Sequence, residues 1–162
     1  MIFLTTGTQL PFDRLVEALD RWAEVNKECP VFGQIGPGSY KPRHFTFTQW
    51  LSPSEYAEHF SKARIVVSHV GMGTIISGLE AGKPLVLMPR LASLGEHRND
   101  HQLGSAEKFS HHASIDIVQD HAALCEKLSI RRQQLESSGV ESVSLETSPQ
   151  LIEKIQQFIE GS

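Results

Sequence analysis

Cysteine is scarce: Cys29 and Cys125 are the only two in 162 residues, and they stand far apart. They form neither a metal-ligand spacing nor a disulfide framework, which fits a reducing compartment. Excess charge of one sign is missing too. A net charge of −4 provides no basic stripe for a phosphate backbone, so nucleic acid is excluded as a partner. Long apolar runs are absent. No stretch approaches the ~18 residues of a membrane span, and Met1 to Thr8 lacks the basic start and apolar stretch of a signal peptide. The expected location is therefore cytoplasmic, with any membrane association peripheral and made through a partner. Repeats and low-complexity linkers are also lacking. The length suggests one domain, 1–162, long enough to bury roughly two-thirds of its unfolded surface.

What is present is alternation. Ile2 to Thr6 reads as a buried strand, and Pro11 to Lys27 as a helix with Phe12, Leu15, Val16, Leu19 and Ala23 at helical spacing. Val31 to Ile35 and Phe45 to Trp50 read as strands separated by the turn-rich Gly36-Pro37-Gly38-Ser39. Ser52-Pro53-Ser54-Glu55 has capping-box spacing and should open a helix to about Lys62. Arg64 to Ser68 is a β-branched strand with both faces buried. Gly71 to Ala81 is a turn and then a helix, closed by Gly82 and Pro84. Pro84 to Met88 and Ile115 to Val118 complete the strands. Further helices are expected at Asp100 to Phe109, Ala122 to Leu135 and Pro149 to Glu160, with a loose hinge over Ser137 to Ser148. This βα alternation predicts an α/β fold: a Rossmann-like parallel sheet with helices on both faces and ligands at the carboxyl ends of its strands.

Three of those loops carry polar chemistry. Ser68-His69-Val70-Gly71-Met72-Gly73-Thr74 turns from a buried strand into a helix. Its glycines let backbone approach a ligand, and the helix start offers free N–H groups to a phosphate. Alone, the same loop is equally a tight turn with glycines for packing. Two better-known phosphate motifs fail. A dinucleotide fingerprint needs a third glycine at Ile76, and a P-loop needs Ser or Thr where Pro84 follows Gly82-Lys83. The second loop, Arg90 to Gln102, gathers Glu96, His97, Arg98, Asn99, Asp100, His101 and Gln102. Asn, Asp and Gln suit sugar hydroxyls, because each hydroxyl both donates and accepts, or the segment is simply a solvated loop with a helix cap, and Glu96 is left without an assigned role. His97 and His101 could share a helical face as metal ligands, but spacing places no third one, so no metal is expected. The third loop, Thr6-Gly7-Thr8, either lines a cleft floor or caps the next helix. His69 is a candidate catalytic base or phosphate contact, or a structural histidine bonded to backbone.

Together, His69-x-Gly71-x-Gly73-Thr74, Glu80-Ala81-Gly82-Lys83-Pro84, Met88-Pro89 and Asn99-Asp100-His101-Gln102 resemble the C-terminal domain of glycosyltransferase family 28, over roughly residues 1 to 110. The chain is most similar to the family's single-domain members, catalytic subunits of two-subunit glycosyltransferases of the bacterial exopolysaccharide and eukaryotic dolichol-pyrophosphate types. Gly7-Thr8 and Phe12-Asp13 match their opening motif. The resemblance implies the donor half of a GT-B enzyme. Gly7, Thr8, Gly71, Gly73 and Thr74 would hold a nucleotide diphosphate, Trp50 and Leu51 would meet uracil, and Asn99, Asp100 and Gln102 would read the donor sugar. One position departs. Several members grip ribose with a Glu three residues after the Thr, where this chain has Ser77, and Glu80 lies one helical turn further on.

The implied activity is inverting, metal-independent hexosyl transfer from a UDP-sugar, with no cofactor, to a lipid-linked acceptor in polysaccharide biosynthesis. A membrane-anchored Rossmann-like partner would supply the acceptor side. Leu151, Ile152, Ile155 and Ile159 form an apolar stripe on the expected 149–160 helix, suited to docking that partner or to packing on its own domain. An exposed docking face could also pair copies of the isolated chain. Two alternatives remain open: a non-catalytic nucleotide-sugar sensor, and a 2-epimerase-like enzyme, which would ordinarily need a second domain in the chain.

Overall fold

The computed structural model describes residues 1–8 and 10–138. Its described strands are β1 (Ile2–Thr5), β2 (Val31–Gln34), β3 (Thr46–Thr48), β4 (Ile65–His69), β5 (Leu85–Met88) and β6 (Ile115–Ile117). They form one sheet in the order β3-β2-β1-β4-β5-β6, and every neighbouring pair is parallel. This doubly wound order reverses direction between β1 and β4. The helices are α1 (Asp13–Val25), α2 (Pro53–Lys62), α3 (Met72–Glu80), α4 (His101–Phe109) and α5 (His121–Ser137).

Alternation along the strands divides the core in two. Ile2, Leu4, Ile65, Val67, Val86 and Met88 pack against Leu15, Val16, Leu19 and Trp22 of α1 and Leu124 and Leu128 of α5. Phe3, Val66, Leu85 and Leu87 face the other way, onto Phe60 of α2, Ile75 and Leu79 of α3 and Phe109 of α4. Strands buried on both faces require continuous apolar runs, which the sequence supplies.

Within the described residues the elements appear where the sequence puts them, with shifted ends. α1 starts at Asp13 because Pro11 and Phe12 are held in the preceding loop. It stops at Val25, where the Asn26 side chain donates to Trp22 O at 2.8 Å. β4 runs on to His69, one residue past its expected end. The expected capping box forms: Ser52 Oγ accepts from Glu55 N, and Glu55 Oε2 accepts from Ser52 N. Lys83 closes the other end of α2, donating to the carbonyls of Ser61 and Ala63 at 3.0 and 2.6 Å.

The turn-rich segment after β2 is more than a separator. Residues 35–45 cross α1 as an extended strap, where a doubly wound unit usually has a helix. Asp13 accepts from the backbone N–H of Ser39 and Tyr40. Asp20, 2% exposed, accepts from the Tyr40 hydroxyl and from the backbone of Arg43 and His44. Two helix carboxylates thus replace the missing helical bonds, and the strap returns the chain to form β3 parallel to β2. The hydrogen bond to Asp20 pushes the Tyr40 phenol up to about 12.

Among the described residues no helix is long and apolar enough to cross a membrane. The expected helix at 149–160, with its stripe of Leu151, Ile152, Ile155 and Ile159, lies outside the described residues.

Candidate functional site

Where β1 and β4 lie side by side, their following loops lead to opposite sides of the sheet and leave a crevice at the carboxyl edge. Thr6-Gly7-Thr8 forms one wall, and His69 to Thr74 the other. Gly7 has φ +79°, a conformation that disfavours any side chain.

Two of the glycines serve packing, the alternative that the sequence left open, and their neighbour is His69. A Cβ at Gly7 would lie 3.1 Å from His69 Nε2, and one at Gly71 would lie 2.5 Å from His69 Cε1. Both positions are bare so that the imidazole fits between the loops. Gly73 differs: a Cβ there meets nothing within 4 Å, so the space beside it is open. α3 begins at Met72 with Gly71 as its cap, and no side chain caps it. Its first N–H groups remain available to an anion, with the positive end of the helix dipole behind them. Thr74 is half-buried in that first turn, and Thr8 is exposed on the opposite wall.

His69 is held from behind. Its Nδ1 lies 3.1 Å from Gln102 Nε2. Burial, reinforced by the Arg90 charge, pushes the imidazole down to about 4, against the opposing effect of the Gln102 hydrogen bond. The ring is therefore neutral at physiological pH.

Arg90 ties the floor together. It is 3% exposed and donates to the carbonyls of Thr6, Leu10, Pro11 and Glu96, with its guanidinium 4.7 Å from the centre of the Phe12 ring. Burial lowers it to about 10, so it stays charged. One buried cation thus joins the loop after β5 to the loop carrying Gly7. Sequence reasoning took Arg90 only as the start of a polar loop. Its position at the end of a buried strand was the available signal.

The polar residues of 96–102 divide by role. Glu96, to which the sequence assigns no role, is a structural anchor: both oxygens bind Arg14, and Oε1 also accepts from Leu91 N. Asn99 and Asp100 are exposed. Asn99 Oδ1 accepts from His101 N and Asp100 Oδ1 from Ala92 N, each at 3.0 Å. Both border a shallow depression of about 350 Å³ that includes Gly104, Ser105 and Lys108. Gln102 is buried, with its amide turned to Arg90 N and His69. His97 precedes α4, so it shares no helical face with His101. Among the described residues no group of three or more His, Cys, Asp or Glu is arranged to hold a metal.

Trp50 and Leu51 follow β3. Trp50 is 51% exposed, while Leu51 N donates to Gln34 Oε1 at 2.8 Å. Gln34 Nε2 reaches Thr5 Oγ1, so a buried amide that sequence reasoning overlooked anchors this turn to β1. Two strand spacings, roughly 10 Å, separate the ends of β3 and β1. Ser77 and Glu80 are both exposed on α3. Glu80 lies at the helix's far end, about 10 Å of axial rise beyond Gly73, so it does not belong to the glycine loop.

An open parallel sheet of six strands with helices on both faces is a Rossmann-like α/β fold of the GT-B glycosyltransferase kind. The sequence matches the glycosyltransferase family 28 C-terminal domain over residues 1–156, and the chain belongs to that family. The match runs well beyond residue 110, where the motifs readable by eye stop. The UDP-N-acetylglucosamine transferase subunit ALG13 of Homo sapiens is 30% identical over 118 residues, 67% of this chain and 10% of that protein. The chain thus spans about a tenth or less of the length of the curated relatives it matches. In fold it is similar to MurG of Acinetobacter baumannii, with TM-score 0.60 and 20% identity over 99% of this chain and 49% of that one. It is also similar to the solution structure of ALG13, with TM-score 0.59 and 16% identity over 82% and 85% of the two chains.

Proposed function

We propose that this chain binds the UDP-sugar donor of a glycosyltransferase, and that a membrane-anchored Rossmann-like partner presents a lipid-linked acceptor in polysaccharide assembly. The observation that carries this reading is the crevice between β1 and β4, with its uncapped α3 start, open Gly73 and inward-facing His69. A diphosphate fits that chemistry: the N–H groups of α3, the Thr74 hydroxyl and the Gly7-Thr8 wall can surround its oxygens. Trp50 and Leu51, two strands away, suit a base at the far end of the nucleotide. Asn99 and Asp100 are the exposed polar groups left to meet the sugar.

The reaction follows from where charge develops. As the anomeric carbon–oxygen bond breaks, negative charge gathers on the leaving diphosphate. The fixed dipoles of α3 stabilise it without reorganisation. A fixed array of N–H donors can take the place of a divalent cation, so turnover should survive EDTA. Acceptor attack from the opposite face inverts the anomeric centre. The neutral, Gln102-bound His69 suits hydrogen bonding to the diphosphate better than removing a proton from the acceptor, so the general base is assigned to the partner.

Calorimetric titration with UDP tests the donor site. The chain should bind UDP, and Gly73→Trp should abolish binding while leaving the melting temperature in place. Failure of the chain to bind UDP both alone and with its partner would refute the reading. Ser77, standing where a ribose-gripping acid is expected, favours one second reading, a nucleotide-sugar sensor without turnover. UDP binding with no sugar transfer in the presence of partner and acceptor would establish that alternative.

A further inference from the structure

His69 faces the crevice with one nitrogen and the protein interior with the other, and the two have different jobs. Which one carries the proton is settled by a chain of three groups. The backbone N–H of Arg90 can only donate, and it lies 3.0 Å from Gln102 Oε1. That contact fixes the orientation of the Gln102 amide, placing its NH2 group against His69 Nδ1 at 3.1 Å. An amide NH2 cannot accept a hydrogen bond, so Nδ1 must. The proton of the neutral ring then sits on Nε2, the atom that lies against Gly7. Gln102 is 8% exposed and Arg90 3%, so water does not compete for these contacts.

We infer that Gln102 is a positioning residue that sets the tautomer of His69, holding Nδ1 as an acceptor so that Nε2–H is presented to the crevice as a hydrogen-bond donor. The opposite tautomer would turn a lone pair toward the phosphate oxygens and repel them. The inference gains its functional meaning from the proposed diphosphate site, but the tautomer itself is measurable without any ligand. It gives Gln102 a different task from the sugar contact that its motif implies. It also explains why the loop after β5 returns to the crevice: its second residue, Arg90, orients the amide that orients the ring.

The test uses the full chain labelled with 15N at histidine, at pH 8 and without ligand. The His69 signals are assigned by their loss in His69→Gln. Long-range 1H–15N spectra of the wild type should show a protonated Nε2 and a bare Nδ1. Gln102→Glu keeps an acceptor for Arg90 N–H but puts a carboxylate oxygen against the ring, so Nδ1 should gain a proton. Gln102→Met, which brings no charge, should give averaged shifts from mixed tautomers. UDP affinity should fall roughly tenfold in Gln102→Met, the size of effect that one charge-assisted hydrogen bond carries. A wild-type ring protonated at Nδ1, or an unchanged Nε2–H pattern in Gln102→Glu, overturns the inference. If the tautomers respond as expected but the wild type binds no UDP with or without partner, the donor reading fails and the positioning role stands. If all variants bind UDP like the wild type and the tautomer does not move, the positioning role fails and the donor reading stands.

Discussion

Arg14 and Glu96, 82 positions apart in sequence, meet as a two-point ion pair. Arginine Nε and Nη2 each lie 3.0 Å from a carboxylate oxygen. Arg14 also donates to the carbonyls of Pro89 and Gln119, so the first turn of α1 gathers the loops that follow β5 and β6. The pair is partly shielded, with side chains 25% and 10% exposed. Glu96→Gln leaves the guanidinium without its charge partner and should destabilise the chain by about 2 kcal/mol. Urea denaturation would measure the loss, and a change within a few tenths of wild type would show that the clasp is ornamental.

Gly71 and Gly73 should respond in opposite directions to the same substitution. Gly71→Ala drives a methyl into the His69 ring, so the ring or the loop must shift, at a cost of about 1–3 kcal/mol. Gly73→Ala meets nothing and replaces glycine in a helix, so it should hold or raise stability by up to about 1 kcal/mol. Both should weaken UDP binding, the first by displacing His69 and the second by narrowing the open space. Melting temperatures and UDP titrations on the two variants would separate packing from ligand space.

That contrast shows how far the sequence could be read. The strands, the parallel sheet and the crevice follow from β-branched runs and glycine-bounded helices, signals local to a few residues. The glycine loop from Gly71 to Thr74 was visible for the same reason. Sequence could not show which glycine borders open space and which faces His69, because that depends on Gly7 and Gly71 flanking the same imidazole from the loops after β1 and β4. Glu96 had no legible role because its partner, Arg14, lies in a distant helix. Gln34 and Gln102 were hard to interpret because an amide's role depends on what it faces. The strap over 35–45 looked like a turn because its bonds come from Asp13 and Asp20 of another element.

Stability should fall on acidification. His69 titrates near 4 when folded, against about 6.5 when unfolded, because burial and Arg90 disfavour the charged ring. The unfolded chain takes up this proton first, so the contribution of His69 is complete above about pH 6.5 and is lost as pH falls toward 4. His112 and His121 are lowered by burial as well and act in the same direction. His69→Gln should flatten the pH dependence of unfolding free energy over this window. An unaltered slope would assign it to groups other than His69, among them His112, His121 and the lowered carboxyls of Glu28, Glu55 and Glu58.

The two tryptophans make a built-in control. Trp22 is 1% exposed in the core and Trp50 is 51% exposed after the edge strand β3. UDP should quench the exposed indole, and Trp50→Phe should remove that response while shifting the melting temperature little. Inorganic pyrophosphate, which has no base to stack on the ring, should bind without comparable quenching. Equal quenching by both ligands would remove uracil from this position.

The strand order has a consequence for how the chain comes together. β1, the first strand made, lies at the centre of the sheet, with β2 on one side and β4 on the other. Its groove toward β4 cannot close until residue 69 is available, and the crevice floor also waits for Arg90 and Gln102. Contacts this distant in sequence form late in folding. Nucleotide binding should therefore lag behind helix formation when the chain refolds from denaturant, which makes ligand capture a clock for the last step of assembly.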